Sequence, residues 1–381
     1  MGAYFDHNST SPMRAVALQA WMEAQERCWQ NPSSLHPEGG RAAIRLQELS
    51  TELVDLLDGG EATRLVWTSG ASEANNMLMA FLARTLPPTA TVAISAIEHP
   101  CLQQAALRHL GAHRVHRIPV NAQGLVDVAG LEALLLQHQP ALVSVMAASN
   151  ESGLLQPWQE LLACCQKHRV PFHSDAAQWL GKLPAEGLGQ CDWLTGSAHK
   201  WGGPKSCGFL LMPEQACHSN AALIVGGPQQ EGRRAGTLDV PAVSAALAAL
   251  REAQQQCGSI QRTQAALRDA FEIRLQQALP GLQVISAKAP RLWNTSLLIM
   301  PRHRNLKWLT RLGRLGFAVS TGSACSSGHD GASPLLQALD LPWEQCQRVL
   351  RLSGGWQQDE ASWQALAAAI EQVAAQLDAQ A

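Results

Sequence analysis

An acid and a lysine stand at the ends of two successive apolar runs, in F-H-S-D-A-A-Q and in W-L-T-G-S-A-H-K-W-G-G-P-K. The acid is Asp175 and the lysine is Lys200, with Ser197 and His199 just before it and a Gly-Gly-Pro turn just after. A lysine amine attacks carbonyls once burial or neighbouring cations remove its proton near neutral pH. One coenzyme asks for both groups: pyridoxal 5'-phosphate takes an amine on its aldehyde and a carboxylate on its ring nitrogen. Either residue alone reads as a solvated loop lysine or a strand-end cap. The pairing is what points to that chemistry.

A phosphate holder is supplied by T-S-G-A-S-E-A-N-N, residues 68–76, which follows an apolar run and opens a helix. The free backbone N–H groups of Ala71 and Ser72 would face an anion at the positive helix end. Ser197, His199 and Thr237 can add donors. His99, in I-E-H-P, ends another run, where an imidazole can lie on the coenzyme ring and relay protons. Asn150 and Gln178 can reach a ring oxygen, and Arg351 can fork onto an amino acid carboxylate. The stretch S-T-G-S-A-C-S-S-G, residues 320–328, surrounds Cys325 with small residues, which suits an accessible thiol that attacks sulfur and then delivers it. A Cys/His hydrolase using His329 lacks an orienting partner and an oxyanion site. No metal-ligand cluster is read.

These residues need strand ends to carry them. Short apolar runs alternate with helical patterns through the middle of the chain, which predicts an α/β fold with a mostly parallel sheet. Strands are expected at 65–68, 91–95, 142–146, 170–173, 193–195 and 208–212, with helices at 72–86, 102–110 and 157–168. A long helix over 241–279 leads to a smaller α+β region with strands at 283–286, 295–299, 317–320 and 349–352 and a final core-covering helix. The division expected is 14–245 for a large domain, with 1–13 and 246–381 forming the smaller one that carries the Cys325 loop.

The bulk composition excludes several classes. The chain has 381 residues, enough for a large core, and its formal net charge of −2 gives no electrostatic case for nucleic acid or a membrane surface. No apolar run is long enough to span a bilayer. The start, M-G-A-Y-F-D-H-N, has neither a basic nor an apolar leader region, and Asp6 removes a myristoylation signal. The ten cysteines form no C-x-x-C pair and read as reduced thiols in a cytoplasmic protein, Cys325 apart.

Taken together, Y-F-D-H-N-S-T-S-P, N-P-S-S-L-H, T-S-G-A-S-E-A-N-N, E-H-P, N-E-S-G, H-S-D-A-A-Q, S-A-H-K, R-A-G-T and S-T-G-S-A-C-S-S resemble the cysteine desulfurase family over almost the whole chain. That family is the NifS/IscS-like, long-loop part of the class V aminotransferase branch of fold-type I pyridoxal-phosphate enzymes. The resemblance implies that Lys200 binds the coenzyme covalently and moves protons, that Asp175 keeps the ring nitrogen protonated, and that His99 stacks on the ring. It gives Ala71, Ser72, Ser197 and His199 to the phosphate, joined by Thr237 from the partner of a homodimer. Asn150 and Gln178 tune the ring oxygen, Arg351 grips the substrate carboxylate, and Cys325 takes sulfur from L-cysteine for a protein acceptor. A selenocysteine lyase, another β-eliminating or transaminating enzyme, and a degenerate acceptor-binding protein are the alternatives. One departure is Gly226-Gly227-Pro228-Gln229-Gln230-Glu231, where relatives commonly read G-G-x-Q-E.

Overall fold

The structure is a computed structural model that describes residues 3–216, 222–321 and 332–380. In chain order it runs β1 (Ala3–Tyr4), α1 (Ala15–Arg27), α2 (Pro37–Leu56), β2 (Thr63–Thr68), α3 (Ala71–Thr85), β3 (Val92–Ser95), α4 (Pro100–Leu110), β4 (Val115–Ile118), α5 (Val128–His138) and β5 (Val143–Ser144). Then come α6 (Trp158–Lys167), β6 (Phe172–Asp175), β7 (Trp193–Ser197), β8 (Gly208–Pro213), the long α7 (Val240–Ala278), β9 (Gln283–Val284) and β10 (Thr295–Ile299). The chain closes with α8 (Asn305–Arg314), β11 (Phe317–Ala318), α9 (Pro334–Ala338), α10 (Trp343–Cys346), β12 (Val349–Ser353) and α11 (Glu360–Asp378).

Seven strands form the central sheet in the order β2-β8-β7-β6-β5-β3-β4. The run from β7 to β4 is parallel, and β8 lies antiparallel to both its neighbours. Period-two alternation sends successive side chains to opposite faces. On β8, Phe209 and Leu211 join the core beneath α1, α2 and α7, while Leu210 and Met212 join the core beneath α3 and α4. Both faces are therefore dry, as a mostly parallel sheet requires. A second antiparallel sheet, β12-β10-β9, packs against α7, α8 and α11 through a separate core that includes Phe5, Trp308 and Trp363.

The predicted alternation holds, with specific differences. The strand expected at 170–173 lies two residues later, so Asp175 is the last residue of β6. The helix expected from Ser72 begins at Ala71, and its N-cap is Gly70. Strand β4, V-H-R-I, has no expected counterpart because its polar alternation at the sheet edge hides an apolar run; α1, α2 and α5 are also additions. Among the described residues no helix is long and apolar enough to cross a membrane.

A buried ion pair ties the long helix to the smaller sheet. Arg291 Nη1 and Nη2 meet Glu272 Oε1 and Oε2 of α7 at 2.7 and 2.8 Å, and Ser296 Oγ of β10 also donates to that carboxylate. Both partners are under a tenth exposed. Removing one partner strands the other charge in the interior, so Arg291→Ala should cost about 3–5 kcal/mol of stability. Chemical denaturation checks this, and a loss below about 1 kcal/mol, typical of a surface pair, would contradict the buried assignment.

Candidate active site

The C-terminal ends of the parallel strands open into a cavity of about 600 Å³. Such an edge is where sheets of this kind bind ligands. Lys200, Asp175, His99, Asn150, Gln178, Ala71, Ser72, Ser197, His199 and Arg351 all line it. Thr237 does not; it is exposed, outside the cavity of its own chain. Cys325 and His329 lie outside the described residues, as does Cys217. Ser320 lines the cavity and exchanges two backbone hydrogen bonds with Arg351, at 3.1 and 2.8 Å.

Lys200 follows β7 on a single tight turn. Its Nζ donates to the backbone carbonyls of Asn8 and, at 2.7 Å, Ser9. Burial, and next the Arg351 guanidinium, push its amine down to about 8, against the opposing pull of Asp6 and Asp175. A sizeable neutral fraction near pH 7–8 is what a carbonyl-trapping amine needs.

Asp175 also lines the cavity, almost fully buried. Its Oδ2 accepts from Asn75 Nδ2 at 2.8 Å and its Oδ1 from the backbone N–H of Ala177 at 3.0 Å. His99 caps α4, its Nδ1 accepting from the Cys101 N–H at 3.1 Å, and burial holds the imidazole below its usual range. The neighbouring Glu98 is fully enclosed; burial, then the Asp175 charge, raise its carboxyl well above the ordinary carboxylate range.

A turn without side-chain bulk forms the anion end. Gly70 has φ +150, and an added Cβ would meet Ser197 Oγ at 3.2 Å. At Gly208 a Cβ would strike Gly70 Cα at 2.5 Å. The first N–H groups of α3 lack intrahelical acceptors and open onto this space. Glu73 of α3 holds Ser69 N–H at 2.7 Å and Arg234 Nε at 2.9 Å, which pins the 234–237 segment beside the cradle. In the departing loop, Gln230 turns its side-chain amide onto the Trp67 backbone N–H and carbonyl, at 2.6 and 3.0 Å, and so caps the free edge of β2.

Sequence reasoning gave no role to the N-terminal segment. Arg351 Nη2 holds Asp6 Oδ1 and Ser9 Oγ, each at 2.7 Å, and Nη1 donates to the Asn150 carbonyl at 3.0 Å. Gln178 Nε2 donates to the Asn8 carbonyl at 2.9 Å, while its Oε1 accepts from the buried Lys182 at 2.7 Å. Thr10 Oγ1 bonds His199 Nδ1 at 3.1 Å. Asp6, Asn8 and Ser9 thus form one wall of the cavity. Lys182, Asn75 and Glu98 are further polar groups around it without a prior assignment.

The site combines an anion cradle, a lysine of lowered basicity and a buried carboxylate around one space large enough for a substituted pyridine and a small amino acid. The chain belongs to the aminotransferase class-V family, whose pattern it matches over residues 3–366. It is 34% identical over 354 residues to the cysteine desulfurase of Rhodobacter capsulatus, covering 92% of this chain and 90% of that one. Among solved structures it resembles a NifS-like protein from Rickettsia africae ESF-5, with TM-score 0.87, 26% identity and 98% and 99% of the two chains covered. It also resembles SspA in complex with cysteine, with TM-score 0.77, 26% identity and 92% and 98% covered. The α/β architecture is that of NifS-like proteins, as the fold-type I expectation required.

Proposed function

We propose that this chain is a pyridoxal-phosphate-dependent cysteine desulfurase, releasing L-alanine and leaving a persulfide on Cys325 for a protein acceptor. The observation that carries the reading is the placement of Lys200 and Asp175 on one cavity, with the lysine made less basic and the Gly70 turn open for a phosphate. The residues fit the coenzyme: Lys200 for its aldehyde, Asp175 for its ring nitrogen, Ala71, Ser72, Ser197 and His199 for its phosphate. When bound, it would act as an electron sink for the substrate carbon skeleton. Lys200 would hold the coenzyme and move the substrate α-proton, His99 would lie at its ring, and Asn150 and Gln178 would serve its ring oxygen. Arg351, oriented by Asp6 and Ser9, has its guanidinium at the cavity wall for the substrate carboxylate. The Cys325 thiolate attacks the substrate sulfur. The S–S bond forms as the C–S bond breaks, the electron pair stays with the carbon, and a proton completes alanine.

In this reading residues 14–245 form the coenzyme domain, with 1–13 and 246–381 the smaller one, and the enzyme is a cytoplasmic homodimer. Exposed Leu18 and Met22 of α1, Ile44 of α2, and Ile224 and Val225 support a partner surface. An exposed Thr237, pinned beside the cradle through Arg234, suits a donor to the partner's phosphate site. The eight cysteines among the described residues are all unpaired, in keeping with a reducing compartment.

The test is intact-mass measurement after adding L-cysteine to the coenzyme-loaded enzyme. An added sulfur atom on the Cys325 peptide, absent in Cys325→Ala, supports the reading. Alanine release at an unchanged rate from Cys325→Ala would refute it.

A further inference from the structure

Behind Asp175 a line of side chains crosses three strands and one helix. Asn75 Nδ2 donates to Asp175 Oδ2 at 2.8 Å, and Thr195 Oγ1 donates to Asn75 Oδ1 at 3.1 Å. Thr195 Oγ1 lies 3.4 Å from His173 Nε2, and His173 Nδ1 lies 2.8 Å from Ser144 Oγ. Strand register builds the line: Asp175 stands opposite Thr195, and His173 opposite Ser144. Asn75, Ser144, His173 and Thr195 are all completely buried, so each bond forms out of reach of water.

Proton counting gives the line a direction. Thr195 spends its one hydroxyl proton on Asn75, so its oxygen must receive the His173 Nε2 proton. Burial pushes His173 down to about 4, so the ring is neutral and its Nδ1 is bare. Ser144 must then donate to Nδ1. The Asn75 amide is fully committed, its second proton facing Cys101 Sγ at 3.3 Å. Every dipole runs toward the carboxylate, and such chains strengthen their last bond. The other groups facing Asp175 are Lys200, His99, Glu98 and Cys101. Of these, burial raises the Glu98 carboxyl well above the ordinary carboxylate range and the Cys101 thiol to about 12.

We propose that Ser144, His173, Thr195 and Asn75 form a one-way donor chain that locks the Asp175 carboxylate in place and stabilises its charge toward the coenzyme ring nitrogen. Asn75 and Thr195 are positioning residues: they act through Asp175. The proposal rests on the coenzyme reading of the site given above.

The experiment loads wild type, Thr195→Val, Thr195→Ser and Asn75→Ala with pyridoxal phosphate labelled with ¹⁵N in the ring. It reads the coenzyme dissociation constant and the ring-nitrogen resonance. Asn75→Ala should bind about tenfold more weakly, the loss expected for one bond to a charged group; valine matches threonine in shape but has no hydroxyl, so Thr195→Val, which removes a neutral bond one step back, should bind roughly threefold more weakly. Their ring nitrogen should move toward its unprotonated position, and Thr195→Ser should restore both values. Asn75→Ala places the best helix former in α3 and carries the test should the strand variant fail to fold. A wild-type resonance and affinity in both Thr195→Val and Asn75→Ala overturn the donor chain alone. A wild-type chain that takes up no coenzyme overturns the site reading, and the donor chain with it.

Discussion

Lys200→Ala is expected to lower alanine formation from cysteine by roughly 10²–10⁴-fold, the range for losing a positioned proton-transfer group. In the proposed reading the lost amine is also the covalent anchor, so borohydride treatment should no longer fix coenzyme to the protein. Mass spectrometry of the reduced chain and an alanine assay read the two effects separately. The geometry singles out this amine. Lys200 enters the cavity from a tight turn after β7, with its amine held by the carbonyls of Asn8 and Ser9. The buried Lys182 is committed to Gln178, and Lys205, which also lines the cavity, is exposed. Turnover in Lys200→Ala within tenfold of wild type would remove the lysine from the chemistry.

Asp175→Asn should bind the coenzyme at least as weakly as Asn75→Ala and, once loaded, slow turnover by roughly 10²–10³-fold, comparable to losing one preorganised electrostatic contact of about 3–4 kcal/mol. The amide keeps the shape of the carboxylate and one acceptor for the Ala177 N–H. It lacks the charge that would hold a proton on a ring nitrogen, and its own N–H₂ would face Asn75 Nδ2 donor to donor. Single-turnover kinetics on the loaded variant measure the chemical step directly. Wild-type single-turnover rates would show that the acid plays no electronic part.

The cavity's strand-end residues were legible because each belongs to a short contiguous stretch. Asp175, Lys200, His99 and the Gly70 turn all close an apolar run within a few residues, so local pattern and strand-end position agree. The N-terminal wall was not legible. Asp6 and Ser9 meet Arg351, 345 and 342 residues away, through a guanidinium that local pattern assigns only to substrate. The donor chain was hidden for a related reason. Asn75 and His173 stand inside recognised motifs, yet their partners follow from register between β5, β6 and β7, which one-dimensional spacing does not encode. Strand β4 failed on local grounds, since its His116 and Arg117 interrupt the apolar signal at an edge where no neighbour covers them on one side.

The wall built by Asp6, Asn8 and Ser9 also sets when the enzyme matures. Strand β1 pairs with β11, and the His7 N–H bonds the carbonyl of Ser353, so this segment waits for partners synthesised long after it. A ribosome that has finished the central sheet still displays a nascent chain whose Lys200 lacks its cover. The pocket therefore assembles after translation of β11 and β12, and in the proposed reading coenzyme capture should lag behind synthesis of Lys200.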